Sequence, residues 1–175
     1  MDNIKELMKE KVKHYGKKER KRLIEEAADA LGETKYLVIC MEELSELANV
    51  ISSNVIDKFD YYHTAEEITD VIIVRDILYV VCNVEPKDVG KSKKLKPKKV
   101  SIESLKNLSQ AIQNISKYIR YNKNGYDKIV EAIELIDETI PALVKLFKIK
   151  EKDLVKIRNL KHRRLEERLM LDTIH

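Results

Sequence analysis

The chain has 175 residues, 43% hydrophobic and 37% charged, and its 34 basic and 30 acidic residues leave a net charge of only +4. That mix suits one soluble helical domain or two small repeats, large enough to bury a real core. It offers no apolar run of the roughly 18 residues that span a membrane. The amino terminus lacks the apolar stretch of a secretory signal, so a cytoplasmic protein with no membrane partner is expected. Cys40 and Cys82 sit in apolar runs and read as buried, reduced thiols, which argues against a cysteine-based metal site.

With four glycines and three prolines, long uninterrupted helices are expected. The first is predicted over about 2–14, with Ile4, Leu7, Met8 and Val12 on one face, and the second over about 18–31, stopped by Gly32. The third spans about 35–57, capped by Thr34, before a turn from Asp57 to Tyr62. The fourth spans about 64–83, capped by Thr64, and its run Val71-Ile72-Ile73-Val74 is apolar nearly all round, so it should be central. Its β-branched residues would also suit a strand, but the length of the segment and the spacing of its acids favour a helix.

Residues 91–99 carry six lysines in nine positions and read as a solvated, mobile linker. Nucleic-acid contact is the sharper reading, but the run has no interleaved aromatics. A fifth helix follows over about 101–122, capped by Ser101, with Ile102, Leu105, Leu108, Ile112, Ile115 and Ile119 at spacings of three and four. After a turn at Asn122–Gly125 come a sixth helix over about 126–147, which Pro141 should kink or divide, and a basic seventh over about 151–170. The expected fold class is all-α, an antiparallel helical bundle. Its parts are a half at 1–90, a lysine-rich linker at 91–100 and a second half at 101–175 packing on the first. Glu103 to Leu108 echoes Glu42 to Leu47, and Glu131 to Glu134 echoes Glu67 to Asp70. The second half thus reads as a degenerate copy, with Ser104 and Asn107 where the first half has acids.

Two acidic clusters stand out, Glu42-Glu43-Leu44-Ser45-Glu46 and Glu66-Glu67-Ile68-Thr69-Asp70. Residues three apart share a helix face, so Glu43 projects with Glu46 and Glu67 with Asp70. Such pairs are common on solvated faces, and Glu26/Asp29 and Glu131/Glu134 are further examples. These two are more specific because they lie on consecutive helices, at comparable distances from one turn. Antiparallel packing would bring them to one level. Unpaired carboxylates beside core residues are expensive, and a hard divalent cation, Mg²⁺ or Mn²⁺, is the simplest compensation. The chain has no Glu-x-x-His pair for a di-iron site, and His14, His63, His162 and His175 are scattered.

The runs Met41-Glu42-Glu43-Leu44-Ser45-Glu46-Leu47 and Glu66-Glu67-Ile68-Thr69-Asp70-Val71 resemble the two metal-binding helices of the all-α nucleoside triphosphate pyrophosphatases. These comprise the MazG-like proteins, dimeric dUTPases and phosphoribosyl-ATP pyrophosphatases. The resemblance covers about residues 20–85. It implies a MazG-like bundle that hydrolyses a nucleoside triphosphate to the monophosphate and pyrophosphate with Mg²⁺. It further implies Glu43, Glu46, Glu67 and Asp70 as ligands, and a homodimer or tetramer. Many MazG-like members carry a late Lys/Asn/Arg element that touches substrate. Its nearest candidate here is Lys156, Arg158, Asn159, Lys161, Arg163 and Arg164, at a spacing that does not align securely.

The chemistry also suits the residues themselves. Triphosphate hydrolysis needs cations on the phosphate oxygens and an activated water. Four carboxylates can hold Mg²⁺ ions, and one touching the water could take its proton. Glu46 is the first choice for that catalytic role and Glu42 the second. The basic residues of the last helix could clamp phosphates, and Tyr36, Tyr79 or Asn83 could line a base pocket. The rival is a non-catalytic helical module that binds nucleic acid or an acidic partner through the linker and last helix.

Overall fold

The computed structural model describes residues 4–56, 58–91, 95–96, 99–121 and 125–171. Among these the chain forms seven α-helices: α1 (Ile4–Leu7), α2 (Lys17–Leu31), α3 (Glu33–Ile56), α4 (Tyr61–Val81), α5 (Val100–Arg120), α6 (Tyr126–Leu146) and α7 (Glu151–Met170). One short 3₁₀ turn lies at Pro86–Asp88. The architecture is an all-α bundle, and no described helix is long and apolar enough to cross a membrane.

α4 sits at the centre, in contact with α1, α2, α3, α6 and α7. Its sequence accounts for the position. Ala65, Ile68, Val71, Val74, Ile77 and Leu78 are buried on several sides, and so are Thr64, Glu67, Thr69 and Asp70. α3 presents Leu37, Cys40, Leu44, Leu47 and Ile51 to this core, each at most 1% exposed. Full burial of such a side chain stabilises by about 1.5–3 kcal/mol. α5 packs on α3 and α6, and α7 lies across α4 and α2.

Local chemistry fixes the joints. α2 ends at Gly32, whose φ of +82° lies where L side chains are strained, and α3 starts at the next residue. α4 starts three residues before the expected Thr64, because Asp60 is the cap: its Oδ1 accepts from the Tyr62 and His63 N–H groups at 3.0 and 3.1 Å. Thr64 lies inside the first turn, where its hydroxyl donates to the Asp60 carbonyl and accepts from Asn54 of α3. Thr34 and Ser101 are likewise helical rather than caps, since α3 begins at Glu33 and α5 at Val100. α6 runs through Pro141 without being divided there. The proline is exposed.

The largest departure is at the amino terminus, where the helix expected over 2–14, of which residues 2 and 3 lie outside the described residues, ends at Leu7. The following residues form a turn and then an extended segment held by α7. Lys156 donates to the Met8 carbonyl at 2.5 Å, the Tyr15 N–H donates to Asn159 at 3.2 Å, and the Tyr15 hydroxyl donates to Glu166 at 2.7 Å. With Tyr15 only 1% exposed, these tertiary bonds outweigh the weak helical spacing of Leu7, Met8 and Val12. Asp57, residues 92–94 and 97–98 of the lysine-rich run, Asn122 to Asn124 of the expected turn and His175 lie outside the described residues.

Asn159 is 6% exposed and accepts a backbone N–H that would otherwise lack a partner. Asn159→Ala is therefore expected to destabilise the protein by about 1–3 kcal/mol in urea titrations; an unchanged midpoint would show that the clasp contributes nothing.

Candidate metal centre

α3 and α4 carry the two acidic clusters to the same level of the bundle. One carboxylate oxygen each from Glu43, Glu46 and Glu67 lie within 4.8 Å of one another. Glu46 is exposed, Glu43 is half-buried and Glu67 is buried. Asp70, one turn along α4 from Glu67, is 8% exposed and lines a cavity of about 150 Å³ together with Glu43. Glu42 is exposed on α3.

Compensation for this charge is partial. Lys161 of α7 reaches Asp70 at 2.5 Å and Glu66 at 3.1 Å. Burial works against its ammonium, but Asp70 and Glu66 outweigh burial and raise its pKa. Glu67 Oε1 lies 3.5 Å from His63 Nδ1, while its Oε2 is buried with no hydrogen-bond partner. Burial, then the Asp70 and Glu46 charges, push Glu67 up to about 8. Burial and Asp70 push Glu43 up to about 7. Burial raises Asp70 to about 6 even though Lys161 pulls the other way.

These shifts have a simple origin. Two ionised carboxylates about 5 Å apart repel by roughly 3 kcal/mol at an effective dielectric of 20. Without a counter-ion the cluster therefore retains protons. A divalent cation would replace them, and the residues fit one: the donors are all hard carboxylate oxygens, and the orphaned Glu67 Oε2 needs a partner. Oxygens bound to one Mg²⁺ are at most about 4.2 Å apart, so the span of 4.8 Å would contract by about half an ångström. Asp70 flanks the three, engaged by Lys161.

The predicted phosphate-binding residues of α7 divide between several places. Lys161 stands at the acids. Lys156 and Asn159 hold the amino-terminal segment. Arg163 pairs with Glu10 at 2.9 Å, and Arg164 is half-buried. Arg158 lines a different cavity, together with Tyr79 and Asn83, whereas Tyr36 lines the cavity of Glu43 and Asp70. The acids of the second half serve other contacts: Glu134 accepts the Gly90 N–H, and Glu131 pairs with Lys128.

Sequence reading passed over His162. It is 1% exposed and lines the cavity beside Lys161. Burial lowers its pKa, so the ring is neutral, and Nδ1 lies 2.7 Å from the Arg158 carbonyl and donates to it. That leaves Nε2 as a buried acceptor with no partner. The only signal in the sequence was its place directly after Lys161. His63, expected at the turn, stands in the first turn of α4.

No family model, no curated protein and no solved structure matches this chain.

The raised carboxyls give the metal-free protein a defined pH dependence. Their stabilisation is full below their ordinary values and is lost as pH rises through about 6, 7 and 8 for Asp70, Glu43 and Glu67. The Tm in chelator is thus expected to fall by several degrees between pH 5 and about 8.5, and Glu67→Gln should flatten that slope. A Tm that rises over this range in the wild type would contradict the electrostatics described.

Proposed function

We propose that the chain is a Mg²⁺-dependent nucleoside triphosphate pyrophosphohydrolase, with Mn²⁺ as an alternative ion, that converts a (deoxy)nucleoside triphosphate and water to the monophosphate and pyrophosphate. The observation that carries this reading is the meeting of Glu43, Glu46 and Glu67 oxygens within 4.8 Å, beside a cavity that Asp70 and Lys161 also line. The likeness of the Glu42–Leu47 and Glu66–Val71 runs to the MazG-like motifs points the same way.

In this reading Glu43, Glu46, Glu67 and Asp70 hold the cation. Once bound, it would neutralise phosphate oxygens and acidify a coordinated water. Glu46 is the exposed member of the trio, so its carboxylate can accept the proton of the attacking water and release it to solvent. Glu42, exposed one turn away, is the alternative base. Lys161 Nζ stands at the same acids and supplies a positive donor to phosphate oxygens. Ile39, Ile73, Val74, Ile77 and Leu165 line the cavity with an apolar surface, and Tyr36 adds an aromatic ring. At about 150 Å³ the cavity would have to widen to take a base. Assembly as a dimer or tetramer belongs to the same reading. Its support is the exposed apolar end of α3, where Val55 and Ile56 are 66% and 82% accessible.

The test is a panel of ordinary, modified and signalling nucleoside triphosphates with Mg²⁺, read as pyrophosphate release. At least one substrate should turn over. Glu43→Gln and Asp70→Asn should each lower the rate at least a hundredfold with helical circular dichroism unchanged. No metal-dependent release across the panel, or variants that retain the rate, would remove the proposal.

A further inference from the structure

A second cavity, of about 510 Å³, opens on the opposite stripe of α4, between α2, α4 and α7. Its volume lies within the range of about 300–1,000 Å³ usual for small-molecule sites. Arg20, Arg75 and Arg158 line it, together with Lys17 and Lys21. Two carboxylates, Asp76 and Glu85, line it with them.

The charge here is not balanced. Asp76 is divided between Arg20 at 3.7 Å and Arg75 at 3.6 Å, and Arg75 also takes Asp137 at 2.9 Å. Arg158 forms no ion pair or side-chain hydrogen bond among the described residues. Its Nε is buried without a hydrogen-bond partner, and so is Nε of Arg75, while Arg20 Nε has only the 3.7 Å ion pair with Asp76. Burial and the charge of Arg20 both depress the Arg158 pKa. Buried donors left unpaired are costly. Arg20 Nη1 already donates to the Tyr15 carbonyl and Arg75 Nη1 to Asp137, so of the three Arg158 brings the guanidinium fork without such partners, a shape that matches an oxyanion. Tyr79, Ile24 and Pro86 add apolar surface to the same walls.

We propose that this cavity binds a small phosphate-bearing anion, with its phosphate oxygens held by Arg20, Arg75 and Arg158 and any attached planar ring placed against Tyr79. The inference goes beyond the carboxylate centre, stands on different residues and does not rest on its activity. The two cavities are linked through α7: Arg158, which lines the second, accepts at its carbonyl from His162, which lines the first.

The test is calorimetric titration of the full-length, metal-free protein at low salt with inorganic pyrophosphate, adenosine monophosphate and adenosine. Pyrophosphate should bind saturably without metal. Arg158→Gln should weaken that binding at least tenfold while leaving the ligand-free Tm unchanged or raised, because it removes a half-buried guanidinium that has no ion pair among the described residues. Arg158→Lys, which keeps the charge but not the fork, should weaken binding severalfold. Glu67→Gln should bind as the wild type does, which separates this site from the carboxylate centre. A monophosphate that binds more tightly than pyrophosphate, with the gain lost in Tyr79→Ala, would identify a nucleotide as the source of the phosphate. Equal affinities would identify the free anion. Absence of saturable pyrophosphate binding, wild-type affinity in Arg158→Gln, or loss of binding in Glu67→Gln would overturn the proposal.

Discussion

Like charges gathered where water is scarce set the conditions for the rest of this structure. Glu43, Glu46, Glu66, Glu67 and Asp70 share one region between α3 and α4, and Lys161 is the cation bonded to Asp70 and Glu66. One ammonium cannot neutralise five carboxylates. The remaining repulsion appears as raised pKa values at Glu43, Glu67 and Asp70 and as an orphaned Glu67 oxygen. Without a counter-ion the cluster holds protons, and in the proposed reading a divalent cation would displace them. The same Lys161 joins α7 to α4. Packing of the last helix and the electrical state of the acids are therefore coupled.

That coupling gives α7 a larger part than its mostly polar sequence suggests. One helix supplies Lys161 and His162 to an acidic cavity, Arg158 to a basic one, and Lys156 and Asn159 to the amino-terminal segment. Tyr15 completes the arrangement, its ring 5.9 Å from that of His162. The net charge of +4 conceals this separation. A negative and a positive cavity lie on opposite stripes of α4, and the sum over the chain reports neither. The proposed hydrolase reading uses the first, and the proposed anion site uses the second.

Much of the fold could be read from the sequence. The ends of α2, α6 and α7 fall within a residue or so of their expected places, because apolar spacing, Gly32 and the scarcity of breakers are local signals. The central position of α4 followed from a segment apolar nearly all round. One failure was a choice between two local caps, since Asp60 rather than Thr64 caps α4. The other came where tertiary bonds outweigh a local preference, as α7 holds residues 8–16 away from helix. Within the candidate site, the acids and Lys161 were marked in advance. His162 was not, since nothing in a basic run separates a buried side chain from a solvated one.

What the sequence by itself determined is which residues share a helix face: Glu43 with Glu46, Glu67 with Asp70, and the apolar stripes that drive the bundle together. Those relations follow from 3.6 residues per turn and hold on any straight helix. Only tertiary structure decided the rotational phase of α3, α4 and α7 about one another. That phase sets the 4.8 Å span of the carboxylates, the choice of Lys161 rather than Lys156 as their partner, and the meeting of Arg20, Arg75 and Arg158 from three different helices. Distances across an interface depend on how the whole core packs, and no spacing along one segment encodes them.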